Sequence, residues 1–484
     1  MYCKLISGLS LKYCKLLSGR NSIKLTIFLS IFIISFSSFS KTWKVGITKT
    51  FKMPSTVSTL VGDGDTVEID SGLYIKDVAK WTANNLLIKG INGRARLDAQ
   101  YTSYGSKAIW VIGGKNTRIE NIEFYNCKVP DHNGAGIRLE GSNLKLINCY
   151  FHHNEMGLLA GDIANCKIDI ERSEFAYNGY GDGYSHNIYV NHIDTFIFKY
   201  NYSHDADVGH EVKSRAFNNF IMYNRISSEK GNDSRNIDLP NGGKAFLIGN
   251  IIEQGSNSQN SNIIGYGFEG LTNPVNHKVY AINNTIVNNR ASGSFFSFQN
   301  GTEFFKAFNN IIAGNGTFIL GDVPLSLDTT ANLINKTIAD FKFENAKDFN
   351  FSLTNQSTNV INNGINAGFA ENFSLQAINV YVHPISFKAR CTDTKIDIGA
   401  YEFCSNAEIH LPKFEISLQP NPAYDRIFIN GCNNGEFEIY NSCGKIISKG
   451  KFEKFIDTHN LANGLYFISI SSNNSIVLKK LIKN

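Results

Sequence analysis

The sequence predicts an all-β chain, a right-handed parallel β-helix followed by a small C-terminal β-sandwich. Three observations carry that expectation. A short, usually Asn-bearing element recurs through the middle of the chain: NIEF at Asn121, NCYF at Asn148, RSEF at Arg172, YNYS at Tyr200, YNRI at Tyr223, GNII at Gly249, NNTI at Asn283 and NNII at Asn309. Between its copies lie two or three short runs of alternating apolar and polar residues, such as KIDI, SHNIYV and TFIFKY, broken by Gly, Asn and Asp. Such runs read as strands and turns, not helices. After Cys404 the repeat stops and a different pattern begins.

The copies are spaced by roughly 23 to 28 residues, with one gap near 34, as in solenoid repeats. A coil of that length holds about three strands, and stacking coils about 4.8 Å apart completes their backbone hydrogen bonds. Propellers have longer units with antiparallel hairpins, and no Leu framework marks a leucine-rich repeat. At 484 residues the chain is too long for one ordinary core but suits one elongated solenoid plus a small domain. The formal charge of +5 is a small excess, with no long Lys/Arg run, so nucleic acid is not an expected partner.

From the N-terminus, Leu25 to Phe39 form a short apolar run preceded by Lys4, Lys12, Lys15, Arg20 and Lys24. It is shorter than the roughly 20 residues of a membrane span. Ser38 and Ser40 flank Phe39 as a signal peptidase accepts, so residues 1–40 are expected to be a removed export signal, with an uncleaved anchor as the alternative. The β-helix is expected over 41–405, a linker over 406–413 and the C-terminal domain over 414–484. No stable transmembrane segment is expected, and the chain is expected to be a monomer. Export permits disulfides among the seven cysteines that follow the signal, and an odd number leaves at least one unpaired. Cys391 with Cys404 and Cys432 with Cys443 are plausible local pairs, whereas Cys127, Cys149 and Cys166 lie among repeated strands, where a buried thiol packs as a small apolar residue.

The N-terminal stretches GDGDTVEIDSGLYIKDV and NNLLIKGINGRARLDAQ, and the closing DFNFSLTNQSTNVINNGINAG and DIGAYEF, resemble secreted β-helix proteins of the pectate-lyase-like superfamily. Beyond them, LQPNPAYDRIFIN, EIYNSCGKIISKG, IDTHNLANGLYFISI and the basic VLKKLIKN resemble the sorting domain of Bacteroidetes type IX secretion cargo. That resemblance implies a receptor-read address recognised by the type IX secretion machinery, contributing no chemistry of its own, on a protein that is secreted or held at the outer-membrane surface.

Candidate chemistry lies in SHNIYVNH, GHEVKSR and SRNIDLPNGG, where Ile188, Val212 and Ile237 align as inward residues. Strand alternation then places two outward columns, Asn187, Glu211, Asn236 and Tyr189, Lys213, Asp238. The first is oxygen-rich and could help hold Ca²⁺, which takes about six to eight oxygens. In the second, Lys213 and Tyr189 are a candidate base and acid. Removing the C5 proton of a uronic acid needs the sugar carboxylate neutralised, by a cation or by Arg215, and a base beside that carbon. A Lys base must fall from about 10.4 toward neutrality, which nearby cations promote and carboxylates oppose. His186 and His210 occupy corresponding positions one coil apart and, with His204, are alternative proton-transfer groups. His204, Asn241, Tyr266 and Glu269 are candidate substrate contacts.

The segment HEVKSRAFNNFIMYNRI resembles the Glu…Lys-Ser…Asn stretch of the polysaccharide lyases that include β-helix alginate and chondroitin/dermatan lyases. The resemblance implies a cation-binding role for Glu211 and a base role for Lys213. One coil later that family has an Arg-His-Gly stretch, where this chain reads Leu239-Pro240-Asn241-Gly242, and Arg235 is out of register. The expected function is action on an acidic polysaccharide by β-elimination or C5 epimerisation. A non-catalytic, adhesin-like glycan-binding protein is the alternative from another class. A glycoside hydrolase using acids such as Asp205, Asp207 and Asp238 is a third, which requires two carboxyls about 5 to 9.5 Å apart.

Overall fold

In the computed structural model, residues 40–391, 395–404, 416–432, 434–441, 446–472 and 475–484 are described. Residues 1–39 of the expected export signal, and the whole expected linker, lie outside them. So does Cys443, and with it the second expected cysteine pair.

The chain winds as a right-handed parallel β-helix. Its three faces arise because each coil contributes three short strands, and each strand pairs in parallel with its counterpart one coil away. The first face is a ten-stranded sheet that includes Met156–Ala160, Ile188–Val190, Val212–Ser214, Ile237–Leu239 and Asn262–Tyr266. A 21-stranded sheet covers the other two faces. On the second face Thr195–Lys199 pairs with Asn218–Met222, and on the third Tyr202–His204 pairs with Arg225–Ser227.

The recurring element marks the bend from the second face to the third. Asn121, Asn148, Arg172, Tyr200, Tyr223, Gly249, Asn283 and Asn309 all have φ between +47° and +67°. This left-handed region turns the chain in one residue, which Gly and Asn tolerate best. At Tyr200 and Tyr223 the cost is met by packing: their rings stack at 5.7 Å, and Phe387 covers Tyr200 at 3.9 Å. The next position holds a buried ladder of Asn201, Asn224, Asn250, Asn284 and Asn310. Each side-chain oxygen accepts a backbone N–H one coil back, as when Asn201 N–H donates to Asn224 Oδ1 at 2.9 Å. Each amide nitrogen in turn donates to an inner carbonyl, as Asn224 does to Phe198 O at 2.8 Å. The ladder thereby satisfies backbone groups that the bend takes out of the sheets.

Inward residues stack at the coil spacing. Phe124, Phe151 and Phe175 follow one another at 4.9 and 4.7 Å with nearly parallel rings. Cys127, Cys149 and Cys166 are fully buried in the same core, and burial pushes the Cys149 thiol up to about 11. At the N-terminal end, the one-turn helix Ser55–Ser58 covers the first coils, with Val57 fully buried.

After Leu333–Asn335 the chain leaves the solenoid and packs back on it. Ala367, Leu375 and Ile396 cover the outward rings of Tyr223, Phe246 and Tyr280. Arg390, buried with Glu402, donates to the carbonyls of Asp397, Gly399, Ala400 and Tyr401. The Cys391–Cys404 disulfide closes the segment as expected. The C-terminal unit has its own core of Ile427, Ile439, Ile468, Ile470 and Leu481. It is the small all-β unit expected, built as seven strands in antiparallel order, in which Ala423 bridges Lys483 of the last strand. Strands of eight and nine residues are long enough to curl one sheet around a small core.

Candidate functional site

On the first face the register is the expected one: Tyr189 pairs with Lys213, and Lys213 with Asp238. Ile188, Val212 and Ile237 point inward and are fully buried. Around the column gathers a charged network. Lys213 Nζ lies 2.7 Å from Glu269 Oε1 and 3.6 Å from Asp238 Oδ2. Arg215 pairs with the other Glu269 oxygen, donates from Nε to the Tyr189 hydroxyl at 3.0 Å, and donates to Asn241 Oδ1 at 2.6 Å. Arg235 donates to Asp238 Oδ1 at 3.0 Å and lies over the Phe268 ring. Beside Tyr189 opens a recess of about 310 Å³ whose lining includes Arg138, Leu159, Asp182 and Asn191.

Electrostatics divide the members. Burial pushes the Asp238 carboxyl up, and Arg235 and Lys213 only partly offset it. Partial burial acts the same way on Glu269, but the hydrogen bonds from Lys213 and Arg215 outweigh it and hold that carboxyl below the usual range. His186 and His210 do stack one coil apart, at 4.7 Å. They are buried, however, and each Nδ1 accepts a backbone N–H, from His210 and Arg235 respectively. The neutral rings therefore carry their proton on Nε2. Burial, and for His210 the neighbouring Lys213 and Arg235, keeps both well below the ordinary imidazole value. His210 Nε2 faces Asp238 Oδ2 at 3.5 Å. This pair supports the network's floor and is not poised for proton transfer.

Three expectations need correction. Asn187, Glu211 and Asn236 do not face outward: all three are fully buried. The strands on this face are only three residues long. Alternation therefore stops at Ile188, Val212 and Ile237, and the preceding residue sits on the bend with its side chain turned inside. Glu211 Oε1 accepts Ala206 N–H at 2.8 Å, while Oε2 accepts from Asn187 at 2.6 Å and from Ser203 at 2.8 Å. The Glu211 and Asn187 oxygens do not fit an open Ca²⁺ site, because their lone pairs serve the chain itself, and Asn236 Oδ1, buried without a partner among the described residues, is one oxygen where about six to eight are needed. No cluster of three or more His, Cys, Asp or Glu suited to a metal occurs among the described residues.

Second, His204 lies on the third face, away from Lys213. It is pinned between Asp205 at 2.7 Å and Glu174 at 3.4 Å. Burial opposes its charge, but those carboxylates raise it to about 9. Third, Tyr266 pairs with Leu239 and points inward, its hydroxyl donating to Gly243 O. The other acids considered for hydrolysis are also engaged. Asp205 accepts from the Lys230 and Gly231 amides, and Asp207 accepts from Asn232. Asn241 and Glu269 do join the network. Arg235, set aside above as out of register, joins through Asp238 three residues on, and Phe268, which adjoins Glu269, was not foreseen.

Larger clefts lie elsewhere, one of about 840 Å³ around Lys342 and Asn345 and one of about 560 Å³ between Tyr202 and Tyr381. Size alone does not choose among them. The first face is preferred because three cations, two carboxylates and a phenol converge there.

Residues 417–484 match the family model of the secretion system C-terminal sorting domain. The chain is accordingly type IX secretion cargo, a secreted or cell-surface protein. Among the described residues no helix is long and apolar enough to cross a membrane. A solved structure titled "Crystal structure of pectate lyase Pel9A" is similar with a TM-score of 0.42 and 14% identity, over 75% of this chain and 97% of that one. No curated protein matches the chain.

Proposed function

We propose that the first-face network binds an acidic polysaccharide and acts on its uronate units by β-elimination or C5 epimerisation. The observation that carries the reading is the convergence of Lys213 and Arg215 on Tyr189, with Arg235 meeting Lys213 on the Asp238 carboxylate. Arginine and lysine that meet on one carboxylate recognise a sugar acid, and neutralising that acid makes its C5 proton removable. In elimination the Lys213 amine takes the C5 proton. The electron pair of the C5–H bond forms the C4–C5 double bond, and the C4–O bond breaks with its pair going to the leaving oxygen. Tyr189 returns a proton to that oxygen; its hydroxyl accepts from Arg215 and so keeps its own proton to give. For epimerisation the carbanion is reprotonated from the opposite side. Lys213 must first give up Glu269 and Asp238. Its engagement with both favours a second reading, a surface protein that binds the glycan without turnover.

Alginate, pectate and glycosaminoglycans, each with Ca²⁺ and after chelation, test the reading by the ultraviolet absorbance of unsaturated uronate products and by NMR of C5 configuration. Turnover is expected on one substrate, falling at least about 100-fold in Lys213→Ala. Retained binding without turnover on any substrate would favour the second reading. A product signal untouched by Lys213→Ala would remove this site from the chemistry.

A further inference from the structure

Lys213 and Arg215 hold a carboxylate in this structure, and it belongs to the protein. Glu269 bridges the Lys213 ammonium and the Arg215 guanidinium with one oxygen on each. A planar acid between an ammonium and a guanidinium is also the arrangement a uronate carboxylate would take there. The Glu269 side chain is 41% exposed, whereas those of Lys213 and Arg215 are 12% and 16% exposed. The carboxylate thus lies over the cations as their cover.

The residue sits on a turn between Gly267 and Gly270, with φ of +86° and +90°. These values favour glycine. Its backbone anchors are Gly267 N–H to Leu239 O and Glu269 N–H to Pro240 O, both 2.9 Å. Asp238 cannot take over the role, since its side chain is 2% exposed and already engaged by Arg235. With Glu269 in place the cluster holds Lys213, Arg215 and Arg235 against two carboxylates; with Glu269 displaced it holds them against one.

We propose that Glu269 is an internal stand-in for the substrate carboxylate, displaced from Lys213 and Arg215 when an acidic glycan binds. It thereby selects charged over esterified or neutral chains, because only an anion can replace it. This rests on the reading of the groove as an acidic-glycan site.

Calorimetric titration of wild type, Glu269→Gln and Glu269→Ala with short oligogalacturonates, oligoalginates and methyl-esterified oligogalacturonates tests it, with circular dichroism to check folding. Removing the competitor is expected to tighten binding of the free acids about tenfold at low salt. The ester should change little, and Lys213→Ala added to Glu269→Gln should cancel the gain. If wild type binds the acids and both variants bind them equally or more weakly, Glu269 is only a pin or a direct contact. The stand-in role then fails while the groove reading stands. If neither wild type nor variants bind any free acid, the groove reading fails and the stand-in role with it.

Discussion

Two columns of side chains, two residues apart on the same three coils, behave as different materials. Tyr189, Lys213 and Asp238 form a column on the outer face in which Tyr189 and Lys213 are part-exposed and Asp238 lies beneath them, paired with Lys213 and Arg235. Asn187, Glu211 and Asn236 form a closed stack in which every side chain is fully buried. The closed stack continues into Asp233 and Glu253, also buried, and no Lys or Arg ion pair to Glu211, Asp233 or Glu253 appears among the described residues. Burial pushes Asp233 up to about 7, with Ser258 and Ser228 opposing and Glu253 adding to it. It likewise pushes Glu253 to about 7 and Glu211 well above its ordinary value. Carboxyls inside the solenoid meet backbone amides and Ser or Asn side chains; carboxyls on the groove meet Arg and Lys. Similar residue types thus serve construction in one column and, in the proposed function, recognition in the other.

The sharpest way to break this contrast is Glu211→Ala, which leaves the Ala206 amide without its acceptor and takes one acceptor each from the Ser203 hydroxyl and the Asn187 amide. A loss of about 3 kcal/mol or more is expected, measured as a fall in the chemical denaturation midpoint. Glu211→Gln should cost less, about 1 to 2 kcal/mol, since its oxygen still accepts the Ala206 amide while its NH2 faces the Asn187 amide but can donate to Ser203 Oγ. A Gln variant as damaged as the Ala variant would mean that Glu211 carries charge.

A pH series separates the columns next. Asp233 and Glu253 bind protons more tightly folded than unfolded. Their stabilisation is complete below about pH 4 and is lost as pH rises through about 7. The buried neutral His186 and His210 act oppositely, losing stability as pH falls below about 6.5. The difference between wild type and Asp233→Asn/Glu253→Gln isolates the acids. Between about pH 8 and 5, wild type should gain thermal stability relative to the variant on acidification. A pH-independent difference would contradict the raised carboxyls.

The smallest effect on stability is expected in the outer column. Lys213→Ala should change it by about 1 kcal/mol at most, because Arg235 remains to pair Asp238. The same variant should nevertheless lose glycan binding or turnover. A large stability loss there would make Lys213 a structural ion.

Much of this was legible in the sequence. The positions that open the recurring element are the left-handed bends, and the register of Tyr189, Lys213 and Asp238 follows from counting back from them. The Cys391–Cys404 pair followed from proximity along the chain. The error at Glu211 came from carrying strand alternation one residue past strands too short to support it. The placement of His204 failed because neighbouring positions in a coil can belong to different faces.

By itself the sequence determined the β-helix, its coil length and its sorting tail, since turn preference and alternation act within a few residues. Tertiary structure alone decided that Glu269 meets Lys213 and Arg215, more than 50 residues earlier, and that Glu211 turns inward. Those outcomes depend on how coils stack and where each strand ends, which no local pattern of residue types encodes.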